Sequence, residues 1–229
     1  MIEKLLPHGV VAVETFEDVP GQTSFPGEES LIANAVETRR REFITARHCA
    51  REALGKLGFA PVPIRAGSRR EPLWPAGVVG SITHTTGFRA AAVAPQSVLA
   101  SIGIDTEQND RLPDGVEETI TVEGEREMLA VLSRAFPATH WGRLLFSAKE
   151  SVYKAWYPLT GRGLDFEDAR LVIDPAGTFA AKLLVDGGRT DGGPPLLEFR
   201  GRFVVAHNLI ATAVTVPSDA VATCLRVNP

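Results

Sequence analysis

The chain has 229 residues, 44% of them hydrophobic, so it can bury the core of one large domain or of two small ones. Its formal net charge of -4 argues against binding to bulk nucleic acid, and no stretch resembles a membrane span or a secretory leader. We therefore expect a cytoplasmic protein that binds neither nucleic acid nor membranes. Cys49 and Cys224 lack metal-ligand spacing, so we expect both to be buried thiols.

The first half of the chain combines a helical pattern with several strand patterns. An apolar strand at residues 10–13 precedes residues 28–57, where apolar side chains recur every three or four positions and predict a long helix. Residues 78–85 predict a strand that becomes small and polar at its end. Residues 88–94 and 98–104 predict two further strands, which we expect to pair as an antiparallel hairpin.

The second half shows the same order of elements. Residues 122–136 and 141–159 predict amphipathic helices, and four β-type runs separated by turn residues follow at 169–173, 179–185, 196–205 and 209–216. This order predicts an α+β fold with two similar lobes rather than one continuous parallel sheet. We place the lobes at residues 1–108 and 109–229, because the segment after residue 108 is polar and turn-like.

Basic side chains follow one side of the first long helix. Arg47 and Arg51 are four residues apart, so both guanidinium groups can face one phosphate, and Arg39 lies in the same region. The alternative is a solvated helix face on which Glu42 and Glu52 are local partners. We favour that alternative for Arg51 and leave it open for Arg39 and Arg47.

Two acids share one face of the strand at residues 101–107. Ile102 and Ile104 alternate with Asp105 and Glu107, so the isoleucines face a core while both carboxylates project from the other side. Neighbouring carboxylates repel each other, and hard oxygen ligands favour Mg²⁺ or Mn²⁺ between them. The alternative is an edge strand with solvated acids.

Two further patterns have both a chemical and a structural interpretation. Glu150 and Lys154 are four residues apart on the helix at 141–159, and they form either an acid and base pair of a site or an ordinary surface ion pair. Thr83 and His84 end a strand between two glycines, where an anionic group can approach the backbone. A lone histidine is more often structural.

Taken together, these stretches resemble signatures of the 4′-phosphopantetheinyl transferases of the single-chain, surfactin-synthetase-activator type. The matching segments are residues 80–84 (GSITH), 103–107 (GIDTE) and 146–154 (FSAKESVYK). Residues 39–43 and 47–51 further resemble the mycobacterial and actinobacterial branch. The resemblance implies two pseudo-symmetric lobes, each a small antiparallel sheet packed on helices, with the active site in the cleft between them.

The resemblance also implies an activity and a set of residue roles. Such an enzyme transfers the phosphopantetheine arm of coenzyme A to a serine of an acyl or peptidyl carrier protein and releases 3′,5′-ADP. The implied Mg²⁺ ligands are Asp105, Glu107 and Glu150, with Mn²⁺ as a possible substitute. Glu150 and Lys154 are the implied catalytic residues, as base for the serine and as partner of the phosphates. The implied coenzyme A contacts are Arg39, Arg47, Thr83, His84 and Lys154, with Arg69 or Arg70 replacing a lysine that relatives carry where this chain has Glu71.

The carrier protein is not identified by this resemblance, since carriers of fatty acid, polyketide and nonribosomal peptide synthesis all present a serine. A two-lobed monomer is expected. Two other functions stay open at this point. One is a metal-dependent phosphohydrolase that binds coenzyme A, in which the same acids activate water. The other is a coenzyme A-binding regulator without catalysis, although a mere binder would not need three magnesium ligands.

Overall fold

The structure of the protein is a computed structural model that describes residues 1–218, so Cys224 lies outside the described residues. The helices are α1 (Glu37–Lys56), α2 (Val116–Ile120), α3 (Glu125–Ala135) and α4 (Trp141–Thr160). The strands are β1 (Val11–Thr15), β2 (Arg65–Ala66), β3 (Pro72–Leu73), β4 (Val78–Thr85), β5 (Phe88–Pro95), β6 (Leu99–Gln108), β7 (Ala169–Asp174), β8 (Thr178–Leu183), β9 (Glu198–Ala206) and β10 (Leu209–Pro217). Within the part that the structure describes, none of the helices is both long and apolar enough to cross a bilayer.

Two antiparallel sheets form the fold, and each packs against one long helix. The three-stranded sheet has the order β1-β5-β4 and packs on α1, while the five-stranded sheet has the order β6-β10-β9-β8-β7 and packs on α4. Strands β2 and β3 form a separate short ribbon. The predicted α+β fold with antiparallel sheets on helices is confirmed.

The predicted hairpin between β5 and β6 is wrong. Strand β5 has β1 on one side and β4 on the other, whereas β6 pairs with β10 at the far end of the chain. Both edges of β5 are thus already hydrogen-bonded, which leaves no edge for β6. The short turn after β5 carries the chain from one sheet to the other, so the acidic strand β6 belongs to the five-stranded sheet. The division of the chain at residue 108 stays a prediction.

The first long helix also begins later than predicted. Residues Glu29–Ile32 form a separate 3-10 turn, and Val36 has the extended backbone of a helix cap, so α1 starts at Glu37. Glu28, the predicted start of the helix, is instead fully buried and accepts a hydrogen bond from Arg51 at 2.6 Å. A buried carboxylate with a charged partner outweighs the local helical pattern here.

The cores form on the faces that the sequence pattern indicates. Ile102 and Ile104 are fully buried against the first sheet, in one cluster with Phe88. Trp156 is buried between α4 and the second sheet. Cys49 is a buried residue of α1, as predicted, and burial raises the pKa of its thiol to about 11. The thiol is therefore protonated and unreactive at neutral pH.

Candidate active site

The acidic strand and the helix α4 touch through their backbones at Gly103. A Cβ atom at this position would lie 1.9 Å from the carbonyl oxygen of Ser151, so only glycine allows this approach. Asp105 and Glu107 follow at two-residue intervals on the same strand face as Gly103. The two carboxylates therefore project toward the side of α4 that carries Glu150.

Lys154 of α4 forms hydrogen bonds with β6 next to the contact at Gly103. Its Nζ donates to the carbonyl oxygen of Ile104 at 3.1 Å and to Oδ1 of Asp105 at 2.7 Å. The amide of Ile104 donates in turn to the hydroxyl oxygen of Ser81 on β4, at 3.1 Å. The backbone of Ile104 is thus held by the first sheet at its N–H and by α4 at its carbonyl oxygen.

Two of the three predicted carboxylates have raised pKa values. Burial, together with the charges of Asp105 and Glu150, raises the pKa of Glu107 to about 7 against the opposing charges of Arg143 and Lys154. Burial also raises the pKa of Glu150, and Asp105 adds to that rise against the opposing charge of Lys154. Burial and, to a smaller extent, mutual repulsion thus disfavour the ionised forms, and a bound cation would offset both.

The donor set fits a hard divalent cation. Oδ2 of Asp105 is buried and has no hydrogen-bond partner among the described residues, so one oxygen is available to a ligand. As the side chains stand, no three acidic, histidine or cysteine residues within residues 1–218 form a complete metal cluster. The ammonium group of Lys154 is the cation in contact with Asp105.

A second polar cluster lies where α1 meets the end of β4. Nη1 of Arg39 contacts both ring nitrogens of His84, at 3.0 Å for Nδ1. Glu42 lies beside these groups, with its carboxylate 3.4 Å from His84, 3.5 Å from Arg39 and 3.8 Å from Arg89. Burial, together with the charge of Arg39, lowers the pKa of His84 to about 3. His84 is therefore neutral at pH 7, and its contact with Glu42 is not an ion pair.

This neutral histidine predicts a pH-dependent stability. The folded protein holds His84 unprotonated down to about pH 3, whereas an unfolded chain protonates it below its ordinary pKa of 6.5. Stability from His84 is thus complete above pH 6.5 and is lost as the pH falls, by up to about 1.4 kcal/mol per pH unit. Urea unfolding between pH 7 and about pH 5 should show a smaller loss of stability for His84→Gln than for the wild type. An equal loss of stability with falling pH in both proteins would contradict a neutral His84 in the folded state.

Arg47 and Arg51, whose spacing would let both face one phosphate, have different surroundings. Arg47 is buried, its Nε donates to the carbonyl oxygen of Ile64 at 3.0 Å, and its guanidinium lies 3.6 Å from the ring centre of Phe43. Burial lowers the pKa of Arg47 to about 10, so it stays charged at pH 7. Arg51 instead pairs with Glu28. Arg51 therefore has a structural partner, but that partner is the buried Glu28 and not Glu42 or Glu52 on a solvated helix face.

Thr83 and Arg69 are the remaining predicted coenzyme A contacts, and their surroundings differ. Thr83 is buried, and its hydroxyl has no partner among the described residues. Arg69 lines a cavity of about 250 Å³ together with Lys149, Glu150 and Tyr153. Arg69 thus reaches the region of Glu150 from the first half of the chain.

Glu71 stabilises its own turn. Its carboxylate accepts a hydrogen bond from the amide of Arg69 at 2.8 Å, and its carbonyl oxygen accepts one from the amide of Gly67, also at 2.8 Å. Glu71 therefore shapes the loop that presents Arg69 to the cavity.

Lys149 and Glu125, whose roles the sequence left open, form a buried ion pair with an Nζ to Oε2 distance of 2.9 Å. Lys149 also donates to the carbonyl oxygens of Ile120 and Phe166, both at 2.7 Å. Glu125 accepts from the amide of Leu171 at 2.7 Å and also from that of Val122. Because all of these bonds are internal to the second lobe, the pair stabilises the lobe rather than a ligand.

Sequence reasoning missed three residues that contact the site. Ser81 lies inside the GSITH segment, so its closeness to the site could have been suspected. Glu42 was considered only as a local partner of the arginines. Arg143 gave no signal in the sequence, yet its Nη1 lies 3.3 Å from Oε2 of Glu107.

Comparisons with known proteins agree with this geometry. The family model of the 4′-phosphopantetheinyl transferase N-terminal domain matches residues 27–94, and that of the 4′-phosphopantetheinyl transferase superfamily matches residues 101–195. The chain is 51% identical to the 4′-phosphopantetheinyl transferase Svp of Streptomyces mobaraensis, over 96% of this chain and 91% of that protein. It is 49% identical to Npt of Nocardia iowensis, over 93% and 99% of the two chains.

A third relative is the 4′-phosphopantetheinyl transferase PptT of Mycobacterium tuberculosis, which is 48% identical over 88% of this chain and 89% of its own. The matches cover both sheets and both halves of the site. Identity at this level over nearly the whole of each chain exceeds what shared fold alone produces. The chain belongs to the 4′-phosphopantetheinyl transferase superfamily.

Proposed function

We propose that this protein transfers the 4′-phosphopantetheine arm of coenzyme A to a serine hydroxyl of acyl and peptidyl carrier proteins and releases 3′,5′-ADP. The observation that carries the proposal is the backbone contact at Gly103, which puts the acids of β6 beside Glu150 and Lys154 of α4. Transfer of a phosphoryl group depends chiefly on positioning and on charge stabilisation, and this arrangement supplies both.

The enzyme would depend on Mg²⁺, with Mn²⁺ as a substitute. Asp105, Glu107 and Glu150 would hold the ion, and the free Oδ2 of Asp105 supports that assignment. When bound, the ion would neutralise the pyrophosphate charge and stabilise the leaving group. A bound cation would also stabilise the ionised forms of Glu107 and Glu150, whose pKa values are raised in its absence.

Glu150 and Lys154 would act on the reacting groups. The raised pKa of Glu150 makes its carboxylate a better proton acceptor than an exposed acid, which suits a base for the carrier serine. Lys154 would donate hydrogen bonds to the phosphate oxygens and stabilise the negative charge of the departing 3′,5′-ADP. The cavity beside Glu150, with Arg69 on its wall, is where the two substrates would meet.

The nucleotide would lie along the first sheet. His84 and Arg39 are already in contact, and Arg47 of the same helix is close enough for its charge to act on His84, so the three would bind the 3′-phosphate. Thr83 would offer its unpartnered hydroxyl to the pyrophosphate. Arg69 would bind phosphate oxygens from the cavity side rather than replace the family's lysine at the 3′-phosphate.

The expected partners are carriers of fatty acid, polyketide or nonribosomal peptide synthesis. The enzyme would act in the cytoplasm as a two-lobed monomer, with coenzyme A as co-substrate. The named relatives are themselves 4′-phosphopantetheinyl transferases, which supports a carrier protein as acceptor.

Intact mass of a purified apo-carrier tests the proposal. After incubation with coenzyme A, Mg²⁺ and this protein, the carrier should gain the mass of one phosphopantetheine group, and omission of Mg²⁺ should prevent the gain. Release of free phosphopantetheine without carrier modification would instead show a phosphohydrolase. Coenzyme A binding without either product would show a non-catalytic regulator.

Dephospho-coenzyme A tests the assignment of the 3′-phosphate contacts. A charge-assisted hydrogen bond contributes about 1.5 to 3 kcal/mol, so Arg39→Gln or His84→Gln should raise the KM for coenzyme A by about tenfold or more. The KM for the dephospho form should change little, because that substrate lacks the group that these residues would bind. An equal rise in KM for both substrates would contradict the assignment. Arg41→Gln, an exposed change on the same helix, is the control.

A further inference from the structure

Arg143, in the first turn of α4, directs its guanidinium group at the segment that follows the acidic strand. Nη1 lies 3.3 Å from Oε2 of Glu107, Nη2 lies 2.8 Å from Oδ1 of Asp110, and Nη2 also donates to the carbonyl oxygen of Arg111 at 2.7 Å. Nε donates to the carbonyl oxygen of Asp110 at 3.4 Å. One side chain thus connects the helix, the loop and the carboxylate.

We propose that Arg143 is a positioning residue that holds the Glu107 carboxylate, together with the loop after β6, in the arrangement that metal binding requires. The inference rests on the proposed function, in which Glu107 is a metal ligand. Arg143 lies outside the three segments, 80–84, 103–107 and 146–154, on which the resemblance rests.

A second side chain holds the same loop to the same helix end. Asn109 accepts a hydrogen bond from the amide of His140 and donates to the carbonyl oxygen of Ala138, both at 2.9 Å. Its own amide donates to the carbonyl oxygen of Asn208 at 2.8 Å. The end of β6 therefore has one fixed position relative to the start of α4.

The spacing along α4 explains why this attachment matters for the site. Arg143 and Glu150 are seven residues apart, which is two helical turns or about 10 Å. Because the side chain of Arg143 contacts Glu107 and the same helix carries Glu150, the position of Glu107 relative to Glu150 depends on a rigid helix and not on the loop alone. A preorganised ligand set loses less entropy when the ion binds.

The contact is compatible with a metal ligand. Arg143 contacts Oε2 of Glu107, and a carboxylate has a second oxygen that can coordinate an ion. Arg143 is only 16% exposed at its side chain, so water screens this interaction less than it would at the surface. Groups that orient metal ligands in this way typically change metal affinity by about 10- to 100-fold when they are replaced.

Binding of Mn²⁺ to the full chain in the presence of coenzyme A tests the role. Free Mn²⁺ is measured by electron paramagnetic resonance as the metal is titrated into each protein. Arg143→Gln should weaken Mn²⁺ binding by about 10- to 100-fold. Arg143→Lys should weaken it less, because the charge remains while the planar fork is lost. The control variant Arg134→Gln changes an exposed residue on α3 and should bind Mn²⁺ with the affinity of the wild type.

Melting temperatures of the same variants separate positioning from general stabilisation. A lower melting temperature with unchanged Mn²⁺ affinity in the folded protein would overturn the proposal, as would tighter binding by Arg143→Gln. If Arg143→Gln does not fold, Arg143→Lys and Asn109→Ala provide the comparison. Transfer to a carrier by the wild type tests the proposed function separately. A wild-type protein that binds no Mn²⁺ would overturn the role of Arg143 as well.

Discussion

Replacement of Glu150 with glutamine is expected to reduce transfer to the carrier by about 10²- to 10⁴-fold, the usual contribution of a general base. Glutamine has nearly the same shape, so packing of α4 is preserved, but it cannot accept the serine proton or provide a charged metal ligand. Burial disfavours the ionised form of Glu150, as its raised pKa shows. The neutral side chain should therefore leave stability unchanged or slightly higher. Initial rates and urea unfolding of the same preparation measure both effects.

Asp105→Ala should behave similarly, with a large loss of transfer and a much smaller loss of stability. Its control is Glu127→Gln, which removes an exposed acid on α3 and should leave both quantities unchanged. If Asp105→Ala or Glu150→Gln lost melting temperature in proportion to activity, the acids would be structural. In that case the metal assignment would have no support from these variants.

Replacement of Lys149 with methionine is expected to lower the free energy of unfolding by about 3 to 5 kcal/mol. The change leaves the fully buried Glu125 carboxylate without its cation and removes donors from two backbone carbonyl groups. Burial already lowers the pKa of Lys149, and the pairing with Glu125 compensates for part of that shift. Urea denaturation measures the loss.

The matched control for this variant is Lys56→Met, which removes an exposed partner of Glu52 and should change stability by less than about 1 kcal/mol. The double variant Lys149→Met with Glu125→Gln should recover part of the loss, because it removes the unpaired buried charge. A single Lys149→Met variant as stable as the wild type would show that the pair is not a main support of the second lobe.

Local patterns in the sequence predicted the elements that carry the site. The two-residue alternation of β6 placed Ile102 and Ile104 in a core, and both are fully buried. The helix predicted at residues 141–159 is observed as Trp141–Thr160. These patterns succeed because burial on one face of a strand or helix leaves a periodic signature.

Long-range relations were not predictable in the same way. The pairing of β6 with β10 joins residues about a hundred positions apart, and nothing in the local pattern of β6 distinguishes it from a hairpin with β5. The contacts of Arg143 depend on where the loop after β6 meets α4, so no spacing rule could have selected it. The pairing of Glu28 with Arg51 likewise overrode a helical pattern.

The two backbone hydrogen bonds of Ile104 have a consequence for inactivation. Its N–H is bound by Ser81 of the first sheet, and its carbonyl is bound by Lys154 of α4. Any opening that separates the two sheets breaks the first bond and moves the first sheet away from the strand that carries Asp105, which stays paired with β10. On heating, phosphopantetheine transfer should therefore be lost at the temperature at which the two sheets separate, and no partly opened state should remain active.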